Sequence, residues 1–452
     1  MTRLPIPGSH VFAAGRLVRP AQAFVQAEAS GGIVLLTAAI FALLWANSPW
    51  DAAYHDLWHA RLRLDLNRTA IDDTLGHLVN DGLMAIFFFV AGLEIKRELL
   101  HGELASRRRA ALPVAAALGG MAVPAAIYAA FNAGSEGARG WGIPMATDIA
   151  FSLGVLALLG RRAPFNVKVL LLALAIVDDL GAIAVIAVFY SDSLSPAALA
   201  WAAAIVVLVV AARRAGVTSA WPYVVLGAAL WLAVYKSGVH ATIAGVVLAM
   251  LTPASAVFAR ERFEANALDL AARFRAARDA GDRDAEQAAL GEIERLARGS
   301  EAPLDRLERA LHPWVSYLVV PLFALANAGI AIDGAALRDA ASSGVTAGVA
   351  LGLVVGKPVG VVLFAWVAVR TGLATLPANV RMLHIAGVGL LAGIGFTVSL
   401  FVTGLAFDSA ALQADAKMAI LGASVLAGAA GYVYLRLAPG EPEGAREDAG
   451  AA

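Results

Sequence analysis

The sequence ALAIVDDLGAIAVI, residues 173–186, lies within a long apolar segment. It places two adjacent carboxylates, Asp178 and Asp179, in the middle of residues 167–190, which are otherwise apolar apart from Lys168 near their start. A membrane-spanning helix needs about 20 apolar residues, so this segment is long enough to cross a bilayer. An ionised side chain at the bilayer centre costs roughly 2.5–3.5 kcal/mol on insertion scales. The two acids must therefore face water, a cation or a counter-charge.

The composition of the whole chain indicates a membrane protein. Of its 452 residues, 60% are hydrophobic and 15% are charged, and the mean hydropathy is +0.71. A soluble chain has about 25% charged residues. The formal net charge is zero, which gives no indication of a nucleic-acid partner. The sequence has no cysteine, which excludes thiolate metal sites, and no nucleotide or zinc motif, so we expect no cofactor.

Apolar stretches of spanning length recur along the chain. About twelve are found, at residues 31–49, 76–95, 111–131, 143–160, 167–190, 194–212, 222–236, 238–257, 313–332, 345–369, 382–406 and 413–436. We therefore predict an all-α polytopic membrane protein with about 12 transmembrane helices.

The distribution of Lys and Arg predicts the orientation of these helices. The even-numbered connections are rich in basic residues, which is typical of the cytoplasmic side. The residues concerned are Lys96, Arg97, Arg107, Arg108, Arg109, Arg161, Arg162, Lys168, Arg213, Arg214, Arg370 and Arg381. The first connection, with Arg61, Arg63 and Arg68, is the exception. An even number of spans then puts both termini in the cytoplasm.

Three segments differ from the apolar spans and define the domain boundaries. Residues 1–21 are predicted to be an N-terminal cytoplasmic tail and residues 438–452 a disordered C-terminal tail, with a transmembrane domain over 22–437 between them. Within that domain, residues 258–310 are predicted to form an extended cytoplasmic loop. Its composition, rich in Ala, Arg and Glu, predicts two helices on either side of Gly281. The alternation of apolar and charged residues near 62–72 predicts a short external β-hairpin.

Two spans carry proline, glycine and polar interruptions. Span four contains IPMATDIAFSLG, residues 143–154, and span eleven contains GIGFTVS, residues 393–399. Interrupted spans in corresponding positions of two halves point to a transporter binding site. Spans four and eleven are the middle members of spans 3–5 and 10–12, which we interpret as inverted-topology repeats with two broken, crossing helices. Asp148 would then offset the positive N-terminal helix ends, and Lys357 in span ten the negative C-terminal ends.

The acids in these spans suit a hard monovalent cation. Na⁺ prefers several oxygen ligands, which Asp178, Asp179, the Thr147 hydroxyl and unwound backbone carbonyls can supply. The two carboxylates titrate as a coupled pair, and a bound cation competes with their protons. Such competition, combined with alternating access, is sufficient for cation/proton exchange. Lys357 can pair with Asp178 when the cation is absent.

Nine short motifs are spread over about residues 22–437, apart from an insert at 260–305. They are ND (80–81), GLEIKRE (92–98), ATDIAF (146–151), AIVDDLGA (175–182), KSGVHAT (236–242), HPW (312–314), ANAG (326–329), GKP (356–358) and GIGFT (393–397). These motifs, in this order, resemble those of the NhaA-type bacterial Na⁺/H⁺ antiporter family.

The resemblance implies an electrogenic, pH-regulated antiporter of the inner membrane, a transporter rather than an enzyme, that expels Na⁺ or Li⁺ in exchange for H⁺. It also implies a homodimer formed through the external hairpin near 62–72. The residue roles it implies are cation and proton binding for Asp178, Asp179, Thr147 and Asp148; charge compensation for Lys357 and Asp148; broken-helix backbone for Gly393, Gly395 and Thr397; and pH response for Glu94, Arg97, Glu98, His240 and Glu308.

The sequence departs from the family pattern at two places, and it leaves three alternatives to the antiporter function open. The 260–305 insert enlarges a loop that is short in the family, and Arg309 stands where some members have His. The nearest alternative function is a sodium-coupled organic-solute symporter on a similar fold, which would need an additional polar pocket. An intramembrane aspartyl protease needs its two aspartates on different helices, and an ion channel needs a continuous selectivity filter.

Overall fold

The computed structural model describes residues 15–66, 69–191, 194–217, 220–256 and 260–438, and these are predominantly helical. The helices are α1 (Gly15–Ala46), α2 (Asp51–His59), α3 (Leu75–Leu78), α4 (Met84–His101), α5 (Arg107–Asn132), α6 (Ile149–Leu158), α7 (Phe165–Phe189), α8 (Pro196–Arg214), α9 (Ala220–Tyr235), α10 (Thr242–Leu251), α11 (Arg260–Ala280), α12 (Arg283–Gly299), α13 (Pro303–Trp314), α14 (Val320–Asn327), α15 (Gly334–Ser342), α16 (Gly344–Leu351), α17 (Lys357–Arg370), α18 (Met382–Ala392), α19 (Phe396–Ala406) and α20 (Ala410–Leu437).

Short 3₁₀- and π-helical segments connect several of these helices. The 3₁₀-helices are Glu103–Ala105, Glu136–Met145 and Gly160–Arg162, and the π-helical segments are Val79–Leu83, Val315–Val319 and Gly352–Gly356. The predicted tails fall largely on residues 1–14 and 439–452, which lie outside the described residues. Helix α1 already begins at Gly15, within the predicted N-terminal tail.

Many of the helices are long and apolar enough to cross a membrane. Among the described residues, seven continuous helical stretches meet this criterion, some of them two helices joined by a π-helical segment, or up to ten if each bent pair of helices is one span. Two shorter apolar helices, Trp221–Tyr235 and Thr242–Leu251, fall below the length criterion. The predicted eighth span, 238–257, is therefore longer than its helix, because the KSGVHA segment before Thr242 forms a turn instead of a helix.

Among the described residues, the first compact unit comprises those up to residue 76, residues 108–182 and those from residue 316 onward. In it α1 packs on α6 and α14, and α20 packs on α16, α18 and α19. Helices α5 and α17 cross at two glycines. A Cβ on Gly119 would lie 2.1 Å from Gly360 O, and a Cβ on Gly360 would lie 2.0 Å from Gly119 O. Small residues allow membrane helices to approach this closely, and the crossing brings Lys357, at the start of α17, against α5.

The β-hairpin also belongs to the first unit. Strands β1 (Arg61–Leu66) and β2 (Thr69–Thr74) pair antiparallel, with Arg61 opposite Thr74 and Arg63 opposite Asp72. Opposite charges that face each other across strands favour this register. The predicted hairpin near 62–72 is confirmed.

The second compact unit comprises residues 77–107 and 183–315. Helices α4 and α10 pack closely in it, since a Cβ on Gly92 would lie 2.7 Å from the Ala249 side chain and one on Gly245 would lie 2.2 Å from Ala85 O. Helices α11 and α12 pack on each other on either side of Gly281, whose φ of +72° suits glycine.

The two ends of the long insert meet within this second unit. Leu304 N donates a hydrogen bond to Pro253 O at 3.0 Å, so the chain leaves and returns at one point. Leu304 packs with Leu93 and Ala249 in a small apolar cluster of α4, α10 and α13. The insert is therefore an excursion between α10 and α13 that leaves their packing intact.

Candidate ion-binding site

The first interrupted helix consists of the 3₁₀-helix Glu136–Met145, the extended residues 146–148, and α6. Its two halves are bent by 44°. Pro144 has no N–H with which to continue the helix. Asp148 starts the second half as its N-cap, because its Oδ1 accepts a hydrogen bond from Phe151 N at 2.9 Å.

The start of this span was predicted wrongly. The apolar pattern begins at Ile143, whereas the helix begins at Glu136. The seven residues before Ile143, EGARGWG, contain three glycines and two charges, so their hydropathy hides the first half-helix. The break consequently lies near the middle of the helical pair.

The second interrupted helix is formed by α18 and α19, which are bent by 48° around residues 393–395. Gly393 has a right-handed helical conformation, so its φ does not require glycine. A Cβ on Gly393 would instead lie 2.5 Å from Leu353 O. Glycine is needed here because the break approaches the backbone of the helix that carries Lys357.

The two breaks contact each other through Asp148. Its backbone N–H donates to Ile394 O at 2.7 Å. Its Oδ2 accepts from Thr397 N at 3.1 Å and from Thr397 Oγ1 at 2.7 Å. One buried carboxylate therefore caps the N-terminal ends of both α6 and α19, where unpaired N–H groups give a positive partial charge.

The opposite ends of the interrupted helices receive different donors. Lys357 Nζ donates to the carbonyl of Met145, the last residue of the 3₁₀-helix. Thr147 Oγ1 lies 3.0 Å from the carbonyl of Ala392, the last residue of α18. Both carbonyls carry the negative partial charge of a helix C-terminus. A cation thus compensates one end and a neutral hydroxyl the other.

Two buried serines complete the crossing, and sequence analysis did not assign a role to either. Ser152 Oγ donates to Leu391 O at 2.9 Å, and Ser399 Oγ donates to Ile143 O at 2.7 Å. Each serine lies four residues after the last residue of its break. That repeated spacing was the signal that could have identified them.

The acid pair adjoins this crossing. Asp178 Oδ2 lies 2.8 Å from Lys357 Nζ and 2.7 Å from Thr147 Oγ1. The side chains of Asp178 and Lys357 are both 0% exposed, and Asp179 is 3% exposed. Asp178 Oδ1 is buried and has no hydrogen-bond partner among the described residues.

This geometry limits the chemistry that is possible at the site. In the described part of the chain, no three His, Cys, Asp or Glu side chains are grouped so that they could hold a metal ion. A hard monovalent cation at Asp178 and Asp179 would take its further oxygens from hydroxyl or carbonyl groups such as those of Thr147. A buried carboxylate must be paired or neutralised. Asp178 therefore needs Lys357, a cation or a proton in each state.

Four of the predicted pH-response residues lie at one end of α4 and on α13. Arg97 forms an ion pair with Glu308, whose side chain is 6% exposed. Glu94 is buried about one turn before Arg97 on α4. Glu98 Oε2 accepts a hydrogen bond from Glu103 N at 3.0 Å. Charged groups thus converge between the two helices.

His240 does not lie in that cluster. Its Nε2 contacts Tyr190 O, and it precedes the first residue of α10. Lys96, next to Arg97 on α4, donates a hydrogen bond to Met250 O at 2.6 Å. Met250 lies near the last residue of α10, whereas His240 lies before the first. The length of α10 therefore separates His240 from the other predicted pH-response residues.

A bundle of apolar helices in which two interrupted helices meet beside buried carboxylates defines the class of secondary ion transporters. The family model described as Na⁺/H⁺ antiporter 1 matches residues 22–435. The chain therefore belongs to the Na⁺/H⁺ antiporter 1 family, whose members are secondary transporters and not enzymes.

Similar proteins cover nearly the whole chain. The Na(+)/H(+) antiporter NhaA of Syntrophobacter fumaroxidans is 46% identical over 428 residues, which are 93% of this chain and 91% of that protein. The Na(+)/H(+) antiporter NhaA of Oleidesulfovibrio alaskensis is 47% identical over 437 residues, 96% and 97% of the two chains. That of Rhodopirellula baltica is 44% identical over 434 residues, again 96% and 97%.

Proposed function

We propose that the protein is an electrogenic antiporter that expels Na⁺, or Li⁺, in exchange for H⁺ at the pair Asp178 and Asp179. The observation that carries this proposal is the fully buried contact of Asp178 with Lys357 and Thr147. A buried charge that is shielded from water needs a partner, so one partner can leave only when another replaces it. Lys357, a cation and a proton are the three partners that this site admits.

Competition between these partners accounts for exchange. In the absence of a cation, Asp178 holds either Lys357 or a proton, and a proton can occupy Asp179. A cation that binds both carboxylates displaces these partners, and protons that arrive from the opposite side displace the cation in turn. When both carboxylates are protonated before the exchange, two protons leave for one monovalent cation, so the cycle carries net charge across the membrane. Thr147 supplies a further oxygen to the cation, and Asp148 holds the crossing that forms the site.

The architecture we propose has 12 transmembrane helices, with α9 and α10 counted as short spans. Spans 3–5 and 10–12 form inverted-topology repeats around the interrupted helices. The matched serine bonds support this proposal, because each interrupted helix donates one hydroxyl to the C-terminal carbonyls of the other. Equivalent contacts on both sides are what two related units produce.

The membrane orientation belongs to the same proposal. The named relatives are bacterial, which supports the bacterial inner membrane as the location. The basic residues of the even-numbered connections support cytoplasmic termini. The cytoplasmic side then holds the cluster of Glu94, Arg97, Glu98 and Glu308, which serves pH regulation. Helices α11 and α12 are next to Glu308 in sequence. His240 acts separately. Homodimerisation through β1 and β2 completes the proposal.

The test uses purified protein in liposomes with an internal pH dye. A Na⁺ gradient without any organic solute should drive proton flux, and a membrane potential should change its rate because charge is moved. Asp179→Asn should abolish the flux. Flux that requires an organic solute would favour the symporter alternative, and near-normal flux in Asp179→Asn would overturn the assignment of the site.

A further inference from the structure

The last turn of the 3₁₀-helix depends on side chains from two other helices. The final carbonyls of a helix lack partners within it and must find them elsewhere. Ile143 O accepts from Ser399 Oγ at 2.7 Å, and Met145 O accepts from Lys357 Nζ. The two acceptors are two residues apart. The position of one carbonyl therefore constrains that of the other.

The Ser399 hydroxyl is itself fixed by its surroundings. Ser399 is 0% exposed, and its N–H donates to Gly395 O at 3.0 Å. A Cβ on Gly395 would lie 2.3 Å from Ser399 Oγ, so the packing leaves little room for the hydroxyl to move. Ser399 thus gives Ile143 O a donor of defined position.

We propose that Ser399 is a positioning residue for Lys357. It holds the Ile143 carbonyl, which fixes the Met145 carbonyl, the second acceptor of the Lys357 ammonium. With that acceptor in place, Lys357 divides its hydrogen bonds between Met145 and Asp178. Without it, Lys357 depends on Asp178 alone and competes more strongly with the transported cation. This inference rests on the proposed function, because it concerns competition at the same site.

Ser152 provides an internal comparison. It makes the equivalent bond to Leu391 O at 2.9 Å, but the next carbonyl, Ala392 O, faces the Thr147 hydroxyl and not an ammonium. Loss of the Ser152 bond therefore leaves the acceptors of Lys357 in place. If Ser399 acts through Lys357, the two serines must differ in their effect on cation competition.

The experiment measures Na⁺-driven proton flux in liposomes and separates the KM for Na⁺ from the maximal rate. Ser399→Ala is compared with Ser152→Ala and with Thr403→Val. Thr403 is the matched control, because it is also buried on α19 but its hydroxyl donates to Ser399 O within the same helix. Ser399→Ala should raise the KM by about three- to tenfold, the size of one lost hydrogen bond, and leave the maximal rate largely unchanged. Ser152→Ala should raise it less.

The outcomes separate this inference from the proposed function. A parent protein without Na⁺-driven flux would contradict the proposed function itself. An active parent with an unchanged or lowered KM in Ser399→Ala, or an equal rise in Ser152→Ala, would overturn the inference alone. If Ser399→Ala does not reach the membrane, Ser399→Cys retains the side-chain volume with a weaker donor. In that case, a KM for Na⁺ in Ser399→Cys above that in Thr403→Val supports the inference, and an equal KM overturns it.

Discussion

The Lys357–Asp178 and Arg97–Glu308 pairs both join a cation to a carboxylate, but they are buried to different extents. Both side chains of the first pair are 0% exposed, whereas Arg97 is 30% and Glu308 6% exposed. A fully desolvated pair cannot lose one member without a replacement. A pair open on one side can exchange protons with the solvent while the fold persists. This difference supports the roles proposed above, transport for the first pair and pH regulation for the second.

A third pair extends the comparison to the surface. Arg309 and Glu301 lie 2.6 Å apart, with side chains 71% and 27% exposed. Exposed pairs contribute little, because water screens both partners. Arg309 directly follows Glu308 but points to a different carboxylate. The three pairs therefore form a series of decreasing burial, and we expect the effects of breaking them to decrease in the same order.

The largest effect is expected for Lys357→Met. This change leaves Asp178 buried without its counter-charge, and removal of one partner of a buried pair costs about 3–5 kcal/mol. Both thermal stability in detergent and Na⁺-driven flux should fall sharply. Lys417→Met is the matched control, since it removes a lysine from α20 outside the site. Equal losses in the two variants would contradict a special role for the Lys357 pair.

An intermediate effect is expected for Arg97→Gln. The carboxylate of Glu308 loses its counter-charge, so the pH dependence of flux should move toward higher pH while the maximal rate changes little. Flux measured from about pH 6 to pH 9 checks this expectation. A shift of the profile by one pH unit would correspond to about 1.36 kcal/mol of lost interaction.

Two further variants control the Arg97 experiment. Arg97→Lys keeps the positive charge and should leave the pH profile near that of the parent. The double variant Arg97→Gln/Glu308→Gln removes both charges and reports their coupling. A profile that is unchanged in Arg97→Gln would rule out the pair as part of pH regulation.

The smallest effect is expected for Glu301→Gln. The pair with Arg309 is exposed, so its loss should change stability by no more than about 1 kcal/mol. Flux and its pH profile should match those of the parent, as measured beside Arg97→Gln in the same liposome preparation. A loss of flux in Glu301→Gln would show that exposure does not order these pairs.

The interruptions of the helices were predictable from local sequence. Pro144 and Asp148 end and start helices for reasons that do not depend on distant contacts. The β-hairpin followed from its alternating pattern for the same reason. Gly393 differs, because a Cβ there would lie 2.5 Å from Leu353 O. The first half-helix was missed because its glycine-rich segment has low hydropathy, and a 3₁₀-helix of this kind has no strong periodic signal.

The pairings across the chain were harder to predict. Ser152 and Ser399 look like ordinary hydroxyl residues of apolar helices, and their acceptors depend on how the two interrupted helices cross. Arg97 and Glu308 are 211 positions apart, and only the family resemblance associated them. Local sequence determines where a helix breaks, but packing determines which carbonyl each side chain reaches.

The proposed exchange depends on competition between Na⁺ and protons for Asp178 and Asp179. A direct test adds Na⁺ to purified, weakly buffered protein and follows proton release with a pH dye, with choline as the control cation. We expect proton release in the parent and none in the folded Asp178→Asn/Asp179→Asn double variant. Equal release in both, or none in a parent that transports Na⁺ in liposomes, would contradict this competition.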